Sequence, residues 1–377
     1  MSGKHGIVCM GLLMLLSSCH DDKQVTASGL QRKDFQTEVN GQYTDLFTLS
    51  NKKGMEVCIT NYGARVVSIL VPDKNGKRED VVCGFSTIGE YMEQRQNFGS
   101  TVGRYIGRIL NARFTLDGVE YKLVPNNGKS GHISHGGNPG FADRIWKVEQ
   151  ADTHRVRLSY LSPDGENGFP GNLKVTLVYS LGEDDNALDL TYEATTDAPT
   201  VLNLSHHSFF NISGNFTKSV EDQQLWVDAD RFTPYDDKKC VTGEYLPVAG
   251  TPLDFRMPHT IGECIDADHP QLKVVNGYDH TWELNTKGDD TRPAAWVYDP
   301  ASGRKMEIFT TEPGMQIYTG NGLKGKMTGK GGIAYPFRSA VCFETMHFQD
   351  SPNQPGFPST VLRPGEVFRS HTVYKFE

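Results

Sequence analysis

The sequence predicts an all-β protein, a large antiparallel β-sandwich. Short strand-like runs punctuated by Pro, Gly, Asn and Asp recur from residue 35 to the C-terminus. Convincing helices are almost absent, so parallel crossovers would have nothing to cover them, and antiparallel sheets packed face to face are favoured. Neither a break in composition nor an internal repeat marks a second domain. We therefore predict one β-sandwich domain over residues 35–377.

Local patterns justify the individual elements. The clearest hairpin joins residues 114–116 to 119–123 through Asp117 and Gly118, because Asp-Gly adopts the positive φ angles of a tight turn. A short helix is expected over 87–94, where Thr87 and Glu90 form a capping box. Other strands are predicted at 55–59, 64–71, 81–82, 156–161, 173–181, 188–195, 224–227, 294–298, 306–310, 341–344 and 367–376.

The N-terminus has the pattern of an exported protein. Lys4 and His5 precede an apolar run over residues 7–16, which small residues and Cys19 follow. The run is too short to span a bilayer, and its order is that of a signal peptide, expected over residues 1–18.

The segment Leu16-Ser17-Ser18-Cys19 resembles the lipobox of bacterial lipoproteins. The resemblance implies that Cys19 is lipidated and anchors the chain to a membrane outside the cytoplasm. An acidic pair follows at 21–22, and such a cluster accompanies surface export in some Gram-negative lipoproteins, so periplasmic and cell-surface locations both stay open. Residues 19–34 are expected to form a lipidated flexible tether.

Composition excludes some functions. Charged residues make up 22% of the chain and the net charge is −8, so no nucleic-acid partner is expected. The cysteines after Cys19 are odd in number and lack a CxxC spacing, which argues against a zinc site or a disulfide framework and leaves one disulfide open. They are Cys58, Cys83, Cys240, Cys264 and Cys342.

Residues 201–211 carry an unusual mixture of polar and apolar side chains and are predicted as one strand. Because a strand alternates its faces, His206 falls with leucine and phenylalanine, whereas His207 falls with Asn203 and Ser205. The polar row would be costly to bury without partners and is typical of a wet cleft. Histidines hydrogen-bonded to neighbouring backbone are the alternative that this stretch leaves open.

Two arginines lie four residues apart among small and apolar neighbours. We expect Arg104 on a solvated surface. Arg108 has two open interpretations, a solvated surface or a cleft in which its planar fork of donors meets hydroxyls or a carboxylate. His135 precedes a pair of glycines, which predicts an irregular loop where backbone approaches a ligand closely.

Two carboxylates have apolar or aromatic residues as their neighbours in the sequence. Asp279 lies near Tyr278 and Trp282, a pairing that sugar-binding clefts use, although an Asx turn is the simpler interpretation of this aspartate taken alone. Glu344 ends an apolar strand-like run, where a carboxylate tends to have a raised pKa or a specific partner, so it is a candidate base. Residues 320–325 match GxGxxG, but no helix follows, and a glycine-rich loop is predicted.

These motifs, in this order, resemble the aldose 1-epimerase family, the galactose mutarotases, over essentially the whole mature chain. Each motif is weak alone, whereas the ordered set is specific. The matching stretches are 107–109, 111–114, 135–137, 203–211, 253–256, 278–280, 315–321 and 343–345. The resemblance implies a β-supersandwich fold and interconversion of the α and β anomers of free hexoses such as glucose or galactose.

The resemblance also assigns roles. It implies that His207 is the general acid and Glu344 the general base. Sugar-binding positions are implied for Arg108, His135, Asp279 and Gln316. Three departures leave this acid–base pair intact but bear on sugar preference: Gly107 stands where many members have Asn, Phe209 where Tyr is common, and Met346 where Gln is common.

Anomer exchange needs a base to take the proton of the C1 hydroxyl and an acid to protonate the ring oxygen. Because only protons move, the chemistry requires no redox cofactor and no covalent intermediate. The resemblance implies that it needs no metal either, although a structural calcium ion is not readable from the sequence. Two alternatives stay open: a glycoside hydrolase that pairs Glu344 with Asp279, and a non-catalytic carbohydrate-binding lipoprotein. A monomer that binds a small sugar and the membrane is expected.

Overall fold

The computed structural model describes residues 25–377, so the predicted signal peptide and Cys19 lie outside the described part. Antiparallel strands dominate, as the sequence predicts, and they are numbered here in chain order. Most of them belong to sheets of nine, six and four strands. Among the described residues, no helix has the length and apolarity that crossing a bilayer demands.

The nine-stranded sheet forms one layer of the sandwich. Along its strands buried residues alternate with exposed or half-buried ones, because successive side chains point to opposite faces. Only one face therefore packs on the core. The strand order is β12 (Lys147–Ala151), β13 (Arg155–Ser162), β14 (Leu173–Leu181), β15 (Ala187–Thr196), β29 (Phe368–Phe376), β25 (Lys305–Thr310), β24 (Ala295–Tyr298), β19 (Gln224–Val227) and β22 (His259–Thr260).

The six-stranded sheet is more deeply enclosed. All six residues of its strand β27 (Val341–Met346) are buried, as expected for a strand covered on both faces. This sheet carries three of the predicted site residues on neighbouring strands. Its order is β18 (Phe209–Phe210), β27 (Val341–Met346), β26 (Gly314–Tyr318), β23 (Asp279–Glu283), β20 (Arg231–Thr233) and β21 (Leu246–Pro247).

A four-stranded sheet and five two-stranded ribbons complete the strands of the described part. The sheet order is β3 (Leu46–Ser50), β4 (Glu56–Thr60), β5 (Arg65–Pro72) and β6 (Arg78–Asp80). The ribbons pair β1 (Glu38–Val39) with β2 (Gln42–Tyr43), β7 (Ser100–Val102) with β17 (Ser205–His207), β8 (Arg108–Ile109) with β11 (Ile133–Ser134), β9 (Arg113–Leu116) with β10 (Val119–Lys122), and β16 (Thr200–Val201) with β28 (Val361–Leu362).

Local sequence chemistry is confirmed at two places. Asp117 and Gly118 turn β9 into β10 with φ angles of 51° and 80°, the positive values of a type I′ hairpin. Helix α1 (Ile88–Gln94) begins with the predicted capping box between Thr87 and Glu90. The sequence did not predict α2 (Pro270–Val275), whose six residues are too few to show helical periodicity.

One continuous hydrophobic core joins the sheets. It includes Leu177 and Leu190 from the nine-stranded sheet, Val66 from the four-stranded sheet, and Trp282 and Phe343 from the six-stranded sheet, all nearly inaccessible to solvent. The five cysteines of the described part are all free, so the fold is held by packing and hydrogen bonds rather than by the disulfide that the sequence left open.

The stretch 201–211 differs from the prediction of one strand. It is divided among β16, β17 and β18, which pair with β28, β7 and β27 respectively. The predicted alternation nevertheless holds. His206 faces the rings of Tyr179 and Tyr374 inside the core, and His207 points the other way, into a pocket.

The expectation that Arg104 lies on a solvated surface is wrong. Its side chain is only 2% exposed. The guanidinium donates hydrogen bonds to Ser162 Oγ at 2.5 Å, Pro170 O at 2.7 Å and Gly171 O at 3.1 Å. Since these acceptors satisfy the buried donors, Arg104 ties together loops that are distant along the chain.

The described part of the predicted flexible tether, residues 25–34, is packed against the fold instead. Leu30 is buried, and the backbone N–H groups of Ala27 and Ser28 donate hydrogen bonds to the carboxylate of Glu56. Residues 25–34 are therefore part of the packed body, because a buried leucine and two charge-assisted hydrogen bonds hold them there.

Candidate active site

A pocket of about 250 Å³ opens where β8, β17, β26 and β27 come together. It brings together residues that lie far apart in the sequence and that the motif analysis selected separately. The six predicted site residues all line it, namely Arg108, His135, His207, Asp279, Gln316 and Glu344. A polar lining around so small a space suits a hydroxyl-rich ligand.

The six-stranded sheet positions one wall of the pocket. Glu344 on β27 lies directly opposite Gln316 on β26, and Gln316 Nε2 donates a hydrogen bond of 2.6 Å to Asp279 Oδ1 on β23. Glu344 lies inside β27 rather than at the end of a strand, since β27 continues to Met346. Adjacent strands fix the spacing of these three side chains through their pairing register.

The imidazole of His207 meets the carboxylate of Glu344 across the pocket. His207 Nε2 and Glu344 Oε1 are 3.4 Å apart, and both residues are buried. The imidazole stacks on Phe209 with 5.0 Å between ring centroids and 16° between planes, and the ring of His135 meets it edge-on at 5.5 Å. Two aromatic neighbours therefore hold the imidazole so that Nε2 points at the carboxylate.

Burial shifts the proton affinities of this pair in opposite directions. Loss of solvent raises the pKa of Glu344 well above its usual value, with a further rise from Asp279 and an opposing effect from Arg108. Burial lowers the pKa of His207 well below its usual value, and His135 adds to that effect. Both shifts favour the state in which the pair carries a single proton, and they place that proton on Glu344 rather than on His207.

His135 presents a fixed hydrogen-bond donor to the pocket. Burial, with help from the charge of Arg108, lowers its pKa to about 4, so the ring is neutral at physiological pH. Its Nδ1 accepts a hydrogen bond from the backbone N–H of Gly107, which leaves the ring proton on Nε2.

The paired glycines after His135 serve the fold instead of a ligand. A Cβ at Gly136 would lie 2.0 Å from the carbonyl oxygen of Gly103, and one at Gly137 would lie 2.5 Å from the side chain of Asn167. The close approach that the sequence predicted is therefore an approach to the protein's own chain. Neither glycine lines the pocket.

The family model described as aldose 1-epimerase matches residues 45–375, nearly the whole predicted domain. The chain belongs to the aldose 1-epimerase family. It is similar to the galactose mutarotase of Bos taurus, with 40% identity over 85% of this chain and 91% of the relative. The aldose 1-epimerase of Escherichia coli K12 is 36% identical over 89% of this chain and 96% of its own length.

Solved structures agree with this assignment to the aldose 1-epimerase family. An aldose epimerase homologue from C. elegans is 31% identical with a TM-score of 0.81, and the match covers 89% of this chain and 99% of that one. A galactose 1-epimerase from Lactobacillus acidophilus NCFM has a TM-score of 0.78 at 28% identity and covers 91% of this chain and 97% of its own. The predicted supersandwich fold is confirmed.

The chain adds a sulfur ligand beside the acid–base pair. Among residues 25–377, the only group of three or more side chains with metal-ligand spacing is His207, Cys342 and Glu344, whose ligand atoms lie within 4.8 Å of one another. Nitrogen and sulfur donors suit zinc, whereas calcium prefers six to eight oxygen ligands. The group therefore gives no support to a calcium site.

Several pocket residues escaped the sequence analysis. Asn97 and Gln349 line the pocket but stand in no recognisable motif. Tyr318 also lines it and lies within the matching stretch 315–321, but the sequence analysis gave it no role. Gln349 follows Glu344 by five positions on a loop, where no strand or helix periodicity predicts which way a side chain points. Only the folded backbone could place these residues.

Proposed function

We propose that this chain is an aldose 1-epimerase that interconverts the α and β anomers of free hexoses of the glucose and galactose class. Membership of the family supports the reaction. The observation that carries the assignment to these residues is the 3.4 Å separation of His207 Nε2 and Glu344 Oε1. The two oxygens that exchange protons are both bonded to C1, so an acid and a base that act on them must lie within a few ångströms of each other.

Before ring opening, the proton that the pair shares passes from Glu344 to His207 across their 3.4 Å contact. Glu344 then removes the proton from the C1 hydroxyl while protonated His207 delivers one to the ring oxygen. The bond between C1 and the ring oxygen breaks, and the C1–O bond of the former hydroxyl becomes the carbonyl of the open-chain aldehyde. Rotation about C1–C2 presents the other face of the carbonyl. The ring oxygen then attacks C1, returning its proton to His207, and Glu344 protonates the new hydroxyl.

The remaining polar residues hold the sugar through its other hydroxyls. Arg108 offers a fork of donors, His135 offers Nε2–H, and the Gln316–Asp279 pair offers both a donor and an acceptor. Because the pocket excludes bulk water from groups that are nearly buried, each of these hydrogen bonds is stronger than it would be on the surface.

The alternatives receive less support. In a glycoside hydrolase two carboxylates act as the catalytic pair, whereas here the partner of Glu344 is an imidazole, and Asp279 is occupied by a hydrogen bond from Gln316. A protein that only bound carbohydrate would not need a buried imidazole against a buried carboxylate. The contact between His207 and Glu344 therefore favours catalysis over both alternatives.

Polarimetry of freshly dissolved α-glucose tests the proposal. His207→Asn and Glu344→Gln each remove one proton carrier while keeping the side-chain shape, and each should slow the enzymatic rate by about 10²-fold or more. Asp34→Asn is the matched control, since Asp34 is half-buried and lies outside the pocket. Wild-type rates in both pocket variants, with the thermal midpoint unchanged, would overturn the assignment of roles.

We further propose that the protein works outside the cytoplasm, held to a membrane by lipid on Cys19 and acting as a monomer. The support for the location and the anchor is the sequence pattern of residues 1–19, which lies outside the described part of the chain. Cys19→Ala should move the protein from the membrane fraction to the soluble fraction, and size-exclusion chromatography of the soluble form should give one chain per particle. Membrane attachment of the variant would refute the anchor.

A further inference from the structure

Gln349 occupies space beside Gly107 that a side chain at position 107 would otherwise fill. A Cβ added at Gly107 would come within 2.6 Å of Gln349 Cγ, and the φ angle of Gly107 is +76°. Gln349 itself is only 4% exposed and lines the pocket. A side chain at position 107 would therefore collide with the side chain of Gln349. The space between the two residues holds only one of these side chains.

The amide of Gln349 joins two residues that face the sugar. Its Oε1 accepts a hydrogen bond of 3.3 Å from the backbone N–H of Arg108 and lies 3.5 Å from the guanidinium Nη1 of the same residue. Its Nε2 donates to the hydroxyl of Tyr235 at 2.7 Å and to Gln316 Oε1 at 3.3 Å. Arg108 on the β8 ribbon and Gln316 on the six-stranded sheet are thus held to one amide.

The position of the Gln349 amide determines which hydroxyls of a bound hexose its partners can contact. His207 and Glu344 act on the two oxygens at C1, so Arg108, Gln316 and Gln349 are left to face hydroxyls on the other ring carbons. A buried amide that fixes both a guanidinium and a second amide restricts which arrangement of those hydroxyls can bind.

We propose that Gln349 is a positioning residue that sets the hexose preference of this site by fixing Arg108 and Gln316, and that Gly107 is its obligatory complement. This inference rests on the proposed epimerase function. The prediction from the sequence that Gly107 bears on sugar preference thereby gains a physical cause: the glycine makes room for an amide that arrives from another loop.

The first experiment compares KM and kcat of Gln349→Met with those of the wild type. Methionine keeps the volume but removes both hydrogen-bonding groups, so KM should rise about three- to tenfold, the effect of one or two neutral hydrogen bonds, while kcat stays within about twofold. Gln223→Met is the matched control, because Gln223 is equally buried and donates to Asn211 Oδ1 at 2.7 Å, outside this pocket. Its KM should not change.

A panel of monodeoxy glucoses gives a readout that loss of stability cannot imitate. The increase in KM caused by Gln349→Met should shrink for the sugar that lacks the hydroxyl held by Arg108 or Gln316, because the wild type has already lost that contact. An equal increase for every deoxy sugar would overturn the role in specificity.

The second experiment is a double-mutant cycle that moves the amide from one position to the other. Asparagine tolerates positive φ better than other residues with a side chain, so Gly107→Asn is compatible with the backbone but collides with Gln349. Gly107→Asn and Gln349→Ala should each raise KM alone, and the double variant should recover part of the loss. Purely additive losses would contradict the shared site.

The outcomes separate this inference from the proposed function. If the wild type does not accelerate mutarotation, the epimerase proposal fails before any variant is considered. If the wild type is active but Gln349→Met leaves KM unchanged for all sugars, only the role of Gln349 is refuted.

Discussion

His206, the neighbour of the proposed acid, should make the protein sensitive to low pH. Its side chain is 2% exposed and lies between the rings of Tyr179 and Tyr374 at 6.2 and 6.0 Å. Nε2 has one partner, Ser208 Oγ at 2.6 Å, and Nδ1 has none among the described residues. Burial therefore lowers the pKa of His206 from 6.5 to about 3.

The free energy of unfolding follows from that difference in pKa. Below pH 6.5 the unfolded chain binds a proton at His206, whereas the folded chain binds none until about pH 3, so stability is complete above 6.5 and is lost as the pH falls. At pH 5 the unfolded state gains about 2 kcal/mol from this one histidine. His206→Gln removes that proton site and should remove that part of the pH dependence.

Urea unfolding at pH 7 and pH 5 measures the effect. Between these values the wild type should lose about 2 kcal/mol more than His206→Gln. His371→Asn is a control of opposite sign, because hydrogen bonds to Asp189 and Asp290 raise the pKa of His371, and the stability it contributes is present at low pH and lost as the pH rises. Equal losses in wild type and His206→Gln would refute the reasoning.

Three further predictions concern the pocket and the fold. Asp279→Asn removes an anion that raises the pKa of Glu344. On the alkaline side of the pH profile of kcat, activity falls as the His207–Glu344 pair loses its single proton. This fall should therefore occur at lower pH in the variant. Arg104→Ala should destabilise the protein by at least about 3 kcal/mol in urea unfolding, because buried carbonyls lose their donors, while exposed Arg155→Ala should change stability by less than about 0.5 kcal/mol. Finally, EDTA should leave the polarimetric rate unchanged, because two side chains supply both proton transfers; loss of activity that added metal restores would contradict this.

The features that could be predicted from the sequence are those that depend on near neighbours. The separation of His206 from His207 follows from the two-residue period of a strand, and the capping box at Thr87 is complete within four residues. Both survive in the structure, even though the strand that was expected to carry the histidines is interrupted.

Features that depend on distant partners could not be predicted. Arg104 is buried because backbone carbonyls from the loop near Pro170 accept its hydrogen bonds. The residues next to Arg104 in the sequence do not indicate that this loop lies beside it. Gln349 is a pocket residue only because a glycine at position 107 leaves space for it. The resemblance to the family selected six residues that the structure brings together in one pocket, whereas the close fit of Gln349 against Gly107 is visible only in the fold.

The pocket residues belong to two kinds of structural element, a buried central strand on one side and a short ribbon with loops on the other. Glu344 is embedded in β27, where every residue is buried, whereas Arg108 and His135 belong to a two-residue ribbon and its turn, and Gln349 to a loop. If the proposed roles hold, substitutions in the ribbon and loop alter which sugar hydroxyls are bound, while β27 and its glutamate stay in place. Related proteins that prefer other sugars should therefore differ from this one mainly in the β8–β11 ribbon and in the loop that carries Gln349, and much less in β27.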